Sequence, residues 1–238
     1  MGYGHPESPE RLKAIEQELR VEGIFPLLQC HEAPQATHEQ LARVHSAHYL
    51  HAIETVAPQH GLISIDSDTL MNPYTLEAAK CAAGAVVLAT DLVISGQVEN
   101  AFCNVRPPGH HATRDEAMGF CFFNNVAVGA AQALALHGLA RIAILDFDVH
   151  HGNGTEAIFE HEARVLLCST FQHPFYPYSG ANSGSDHVIN TPLAAGAAGQ
   201  MFRAAVLENW IPALERFKPE MIYISAGFDG HREDEMAN

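Results

Sequence analysis

Paired cysteines are missing from this sequence. Its five cysteines, Cys30, Cys81, Cys103, Cys121 and Cys168, are scattered and odd in number, and none stands in a CxxC pair. That argues against a disulfide framework or a cysteine zinc site, and a reducing cytoplasm is the expected location. Long apolar runs are missing too. The longest, around Ala82 to Ile94, is broken by Gly84, Thr90 and Asp91 and is too short to span a bilayer. No basic stretch precedes an apolar one at the N-terminus, so no signal peptide is expected. Positive charge is scarce: 13 Lys and Arg face 28 Asp and Glu, a net charge of −15. Phosphate binding needs clustered Lys and Arg, so this surface is expected to repel nucleic acid and anionic membranes. It would welcome a cationic substrate, although most acidic surfaces serve solubility alone.

What is present is enough for a full core. A chain of 238 residues that is 47% hydrophobic, without low complexity, repeats or linkers, is expected to form one domain over 1–238. Ser8 and Pro9 open a predicted helix whose buried stripe is Leu12, Ile15 and Leu19. Thr37 with Gln40 reads as a capping box, and a long alanine-rich helix runs from Thr75 to Ile94 and ends at Ser95-Gly96. From Ala101 onward, short apolar runs alternate with helical ones. The predicted strands are Ala101–Val105, Arg141–Phe147, Arg164–Ser169 and Glu220–Ser225, and the predicted helices are Asn125–His137, Thr155–His161 and Gly199–Phe217. Apolar strands each followed by a helix imply an α/β fold: three α/β/α layers around a central, mainly parallel sheet. Ligands of such sheets sit beyond the carboxyl ends of the strands.

Three post-strand loops hold nearly all the unusual residues: Arg106–Ala112 with His110 and His111, Asp146–Gly154, and Ala226–His231. Asp146, Asp148 and His150 are spaced two apart, so an extended backbone would project them to one side. Carboxylates this close repel unless a cation sits among them. Carboxylate oxygen with imidazole nitrogen suits zinc or another borderline divalent metal, and Asp229 is the obvious third ligand of an open, catalytic-type site. One isolated Asp-x-Asp or His-His pair is usually local polarity; three such clusters at equivalent strand ends are not. Gly152-Asn153-Gly154-Thr155-Glu156-Ala157 matches a dinucleotide fingerprint, but the next strand ends without the acid that would hold ribose, so the match is read as accidental. His31, His38, His45, His48, His51, His60, His137 and His161 are read as surface or packing residues, and His187 and His231 are undecided.

The runs Arg106–Ala112, Gly119–Asn125, Asp146–Gly154 and Ser225–Asp229, in this order, resemble the motifs of histone deacetylases, and Gly4–Leu12 resembles that family's N-terminal motif. Asn153 and the Ser-Ala-Gly-Phe-Asp form look most like the class II and bacterial branch, which includes acetylpolyamine amidohydrolases. The resemblance implies an arginase/deacetylase-like fold and one zinc ion bound by Asp148, His150 and Asp229. It makes His110 and His111 the tandem histidines, paired with Asp146 and Asn153. With Asn153 neutral, His111 is the expected general base and later acid, while His110 stays positive. Phe120 and Tyr176 resemble walls of the acyl-lysine channel, Asp68 resembles a rim aspartate holding substrate, and Asp146, Ser169 and Thr170 fall where the family binds potassium. The implied reaction is zinc-dependent removal of acetyl or other acyl groups from lysine or from polyamines.

The sequence also departs from the family pattern. It enters the opening motif midway at Met1-Gly2-Tyr3, and nothing after Asp229 matches the tyrosine loop that donates to the developing oxyanion. The domain is therefore expected to be incomplete at both ends, and this polypeptide weakly active or inactive. Two other readings stay open: a non-catalytic module binding acyl-lysine or zinc, and an arginase-like two-metal ureohydrolase. The substrate, acyl length, native metal and oligomeric state are not specified by the sequence.

Overall fold

Alternating short strands and helices in the second half of the chain condense into one parallel sheet. The computed structural model describes all residues except Tyr3, which belongs to the opening run read above, and Asn238, the last residue. The chain divides into two compact units, Met1–Gln132 and Ala133–Asn238.

In the first unit, α1 (Pro9–Val21) is followed by a short 3₁₀ turn, α2 (His38–Ala42), α3 (Ala47–Val56), the strand pair β1 (Ile63–Ser64) and β2 (Leu70–Met71), and α4 (Thr75–Ile94). The Thr37–Gln40 capping box forms as expected, with Thr37 accepting from the Gln40 amide and Gln40 from the Thr37 amide. Ser46 caps α3 by accepting from Tyr49 N–H. Helix α4 has the predicted bounds, and its small residues Ala79, Ala82, Ala83 and Gly84 form the buried side. Two expectations for α1 need correction. Ser8 makes no side-chain cap, and Leu12, Ile15 and Leu19 are only half-buried, because no α1 residue is fully covered. Residues 101–105 form no strand: Phe102 is exposed and the segment joins no ladder, so its apolar content has no partner strand to order it. Helix α5 (Asn125–Ala135) crosses from one unit to the next along the sequence.

The second unit carries β3 (Ile142–Asp146), α6 (Asn153–Phe159), β4 (Val165–Gln172), β5 (Val188–Leu193), α7 (Gly199–Ala205), a π turn (Val206–Trp210), α8 (Ile211–Phe217) and β6 (Met221–Ser225). The sheet order is β5-β4-β3-β6, and every pairing is parallel. All eight residues of β4 are buried, as a strand covered on both faces requires. One face packs Ala143, Leu166 and Cys168 against Trp210 and Ala213, and burial pushes the Cys168 thiol up to about 12. The α/β architecture with a parallel sheet flanked by helices is as expected.

Strand β5 was not anticipated. It carries Pro192, which cannot donate to a ladder and is tolerated here because β5 is an edge strand. The expected single helix Gly199–Phe217 is interrupted by the π turn, just before Pro212, whose missing N–H removes an i→i−4 bond. The other edge strand, β6, leaves Ile222 and Ile224 exposed. No helix of the described residues is long and apolar enough to cross a membrane.

Candidate metal centre

The parallel register sets the site of the second unit. Asp146 closes β3 opposite Ser169 on β4 and Ser225 on β6, so the loops after β3 and β6 leave the sheet side by side. The post-β3 loop is wound by its own carboxylates. Asp146 accepts from the Asp148 amide at 3.1 Å, and Asp148 accepts from the His150 amide at 2.8 Å. Asp229 reaches across to accept from Val149 N–H at 3.0 Å.

These bonds bring Asp148, His150 and Asp229 together, with one ligand atom of each within 4.8 Å of the others. His150 Nδ1 lies 3.0 Å from Asp148 Oδ1 and 2.9 Å from Asp229 Oδ2. Burial opposes charge on His150, but hydrogen bonds to the two carboxylates and their charges outweigh it, pushing its pKa up to about 9. The two aspartates thus already hold positive charge in place. A borderline divalent cation fits this donor set of two carboxylates and one imidazole. The backbone is shaped to it as well: a Cβ on Gly227 would lie 2.1 Å from Asp148 Oδ2, so only glycine lets the post-β6 loop pass that carboxylate. Phe175 stacks on the His150 ring (5.1 Å, 19°) and Tyr176 meets it edge-on at 6.0 Å.

The remaining predicted residues of this unit are distributed around that loop. Asn153 begins α6. Ser169 and Thr170 are buried, and neither hydroxyl has a hydrogen-bond partner among the described residues. As neighbours on β4 they point to opposite faces, so one ion could take the hydroxyl of only one of them. Ser169 is the one paired with Asp146.

In the first unit, His110 and His111 are buried with ring centroids 4.0 Å apart. Asp68 and Phe120 converge with the N-terminal motif. His5 Nε2–H donates to Asp68 O at 3.1 Å, the His5 ring meets Phe120 edge-on at 4.6 Å, and Phe120 N–H donates to Thr69 Oγ1 at 3.0 Å. Phe120 holds φ 68°, a conformation non-glycine residues seldom adopt. Burial and the neighbouring Asp66 push the Asp68 carboxyl above its usual range.

Sequence reasoning passed over several residues. His151 is 1% exposed and pairs with Glu156, Nε2 to Oε2 at 2.6 Å. A histidine adjacent to a ligand, with an acid five residues on, was the available signal. Glu156 lies inside the run that matches the dinucleotide fingerprint and is turned to a protein partner. Phe175 beside Tyr176 was missed, as was the buried pair of Glu7 with Arg106. Of the undecided histidines, His187 Nε2–H reaches Phe159 O at 3.3 Å, while exposed His231 accepts from Glu233 N–H.

Comparison with known proteins decides the family. Residues 5–238 match the histone deacetylase domain. The chain belongs to the histone deacetylase family. Among the relatives of this family member, the histone deacetylase-like amidohydrolase of Pseudomonas aeruginosa is 42% identical over 98% of this chain and 63% of its own length. Histone deacetylase 15 of Arabidopsis thaliana is 41% identical over 97% of this chain and 43% of its own. Polyamine deacetylase HDAC10 of Rattus norvegicus is 38% identical over 94% of this chain and 41% of its own. The crystal structure of the HDA15 HD domain superposes with a TM-score of 0.93 at 38% identity, covering all of this chain and 72% of that one. The chain therefore spans less than two thirds of the length of these three relatives.

Proposed function

We propose that this chain carries the metal centre of a zinc-dependent amidohydrolase that removes acyl groups from the ε-amine of lysine or from acylated polyamines. The observation that carries the reading is the convergence of Asp148, His150 and Asp229 within 4.8 Å, in a chain matched to deacetylases. Asp148 and Asp229 would hold one zinc ion through carboxylate oxygens and His150 through an imidazole nitrogen. Zinc bound there would act as a Lewis acid toward the amide carbonyl and lower the pKa of a water toward roughly 7.

The chain's own residues supply the proton transfers. His111 takes the proton of the water attacking the amide and later returns a proton to the departing amine, so that amide and water become carboxylate and amine. His110 offsets the negative charge developing on the carbonyl oxygen. The family resemblance assigns Phe120 and Tyr176, each within its own unit, to the apolar stem of the acyl-lysine, whose methylenes need apolar surroundings, and Asp68 to the substrate backbone. A potassium ion near Asp146, with the Ser169 hydroxyl and a Thr170 carbonyl, would satisfy an otherwise unpartnered buried oxygen. The cellular location proposed is the cytoplasm.

The test is metal content of the dialysed protein measured beside acetate release from an acetyl-lysine peptide and an acetylated polyamine, for the parent and Asp229→Ala. One zinc per chain, lost in the variant, with weak zinc-dependent acetate release is the expected result. A parent that retains no zinc sinks the reading. Zinc without acetate release from either substrate favours a non-catalytic acyl-lysine-binding module, and two metals per chain an arginase-like hydrolase.

A further inference from the structure

The second unit contains a buried polar network that the proposed chemistry does not use. His151 follows the candidate ligand His150, yet its side chain turns away into the protein. Its Nε2–H donates to Glu156 Oε2 at 2.6 Å, and its ring lies 4.5 Å from that of Phe171. Glu156 sits in the first turn of α6 and also accepts from Asn190 Nδ2 at 2.8 Å. The same Asn190 amide lies 3.1 Å from Gly180 O and 3.1 Å from Ser183 Oγ. Gly180, at φ 88°, runs directly across the His151 ring, where an added Cβ would approach ring atoms to 2.6–2.8 Å. The loop tied down at Gly180 and Ser183 is the one that carries Phe175 and Tyr176 onto the His150 ring.

One carboxylate therefore joins the two segments that orient His150. Through His151 it anchors the backbone of the post-β3 loop; through Asn190 it anchors the far end of the loop that stacks on the His150 ring. We propose that Glu156 is a positioning residue for the metal centre: by holding His151 and Asn190 together it sets the orientation of His150 and hence the tightness of metal binding. This rests on the reading of Asp148, His150 and Asp229 as the metal site. Residues outside the ligand set that fix a ligand's orientation typically carry 10–100-fold in affinity. Glu156 acts one residue removed from His150, so the low end is expected.

The experiment titrates the metal-stripped 238-residue chain with Co²⁺, following the visible ligand-field bands, alongside a thermal melt of each apoprotein. Glu156→Ala is expected to bind Co²⁺ about tenfold more weakly than the parent, with altered bands. Glu156→Gln, which still offers an oxygen to His151 and Asn190, is expected to recover most of the affinity. Glu156→Asp, one methylene too short to reach His151, is expected to behave like Glu156→Ala and serves as the deciding variant if Glu156→Ala does not fold. Variants with parental affinity and bands overturn the proposal, whatever their melting temperatures. A lowered melt with unchanged Co²⁺ binding likewise assigns Glu156 to folding alone. A parent that takes up no Co²⁺ removes the metal reading itself, and this inference with it.

Discussion

In the first unit Glu7 and Arg106 meet as a two-pronged pair, Nε to Oε1 at 2.8 Å and Nη2 to Oε2 at 2.7 Å, with Glu7 3% exposed. In the second, Asp148 and Asp229 share a single imidazole. The first cluster has one negative and one positive group and is complete as it stands. The second gathers two carboxylates on one imidazole, a donor set that suits a divalent cation. Two buried histidines repeat the contrast. His45 Nδ1–H donates to Thr113 O at 2.9 Å, and its Nε2 accepts from Asn124 N–H at 3.0 Å. Both nitrogens are used in the neutral ring, and burial lowers its pKa to about 4. His150, buried among carboxylates, is raised to about 9. Burial alone favours the neutral form of a histidine; carboxylate company favours the charged one.

The largest effect should come from breaking the unbalanced cluster. Asp229→Ala is expected to weaken zinc binding by about 10³-fold, roughly one ligand's share of the binding free energy at a four-coordinate site. Competition with a chromogenic chelator measures it, and apoprotein stability should change far less than metal affinity. The balanced cluster should respond in the opposite sense. Glu7→Ala leaves Arg106 without its acid and is expected to cost about 3 kcal/mol in urea unfolding, with little change in zinc affinity. If the two variants exchanged behaviour, the contrast between the clusters would be wrong.

His45 offers a test by pH. Its pKa falls from 6.5 in the unfolded chain to about 4 in the fold, so between these values the unfolded state binds more protons. Its contribution is intact above about pH 6.5 and is lost as pH falls toward 4, by up to about 3 kcal/mol. Urea midpoints of the parent and His45→Gln should therefore diverge in pH dependence across that window, with the flatter curve in the variant. Parallel curves would mean that His45 is not buried neutral. The smallest effect is expected at Tyr49, whose hydroxyl donates to Phe122 O at 2.6 Å in the same packing region. Tyr49→Phe leaves that carbonyl without its donor and should cost about 1–2 kcal/mol, read from the urea midpoint at constant pH.

Local rules were the readable part of the chain. The Thr37–Gln40 box and the bounds of α4 follow from residues in contact along one helix, so neighbouring sequence is sufficient to specify them. Strands were harder, because a strand exists only when paired. Ala101–Val105 has the composition of one but no ladder, whereas Val188–Leu193 has Pro192 and is one, since β4 lies beside it. At the site, Asp148, His150 and Asp229 were legible because chemistry demands those residue types and α/β topology predicts where post-strand loops gather. Glu156 was not, since an acid in the first turn of a helix looks like an ordinary favourable charge.

The sequence by itself determined the family, the α/β class and the residue types of the post-β3 loop, for these lie in contiguous motifs. Only the tertiary structure decided that burial lowers the pKa of His45 while carboxylates raise that of His150, which aromatics stack on His150, and that Glu156 faces His151 rather than water. Those outcomes depend on burial and on partners distant in the chain, such as Thr113 for His45 and Asp229 for His150. No run of neighbouring residues encodes either.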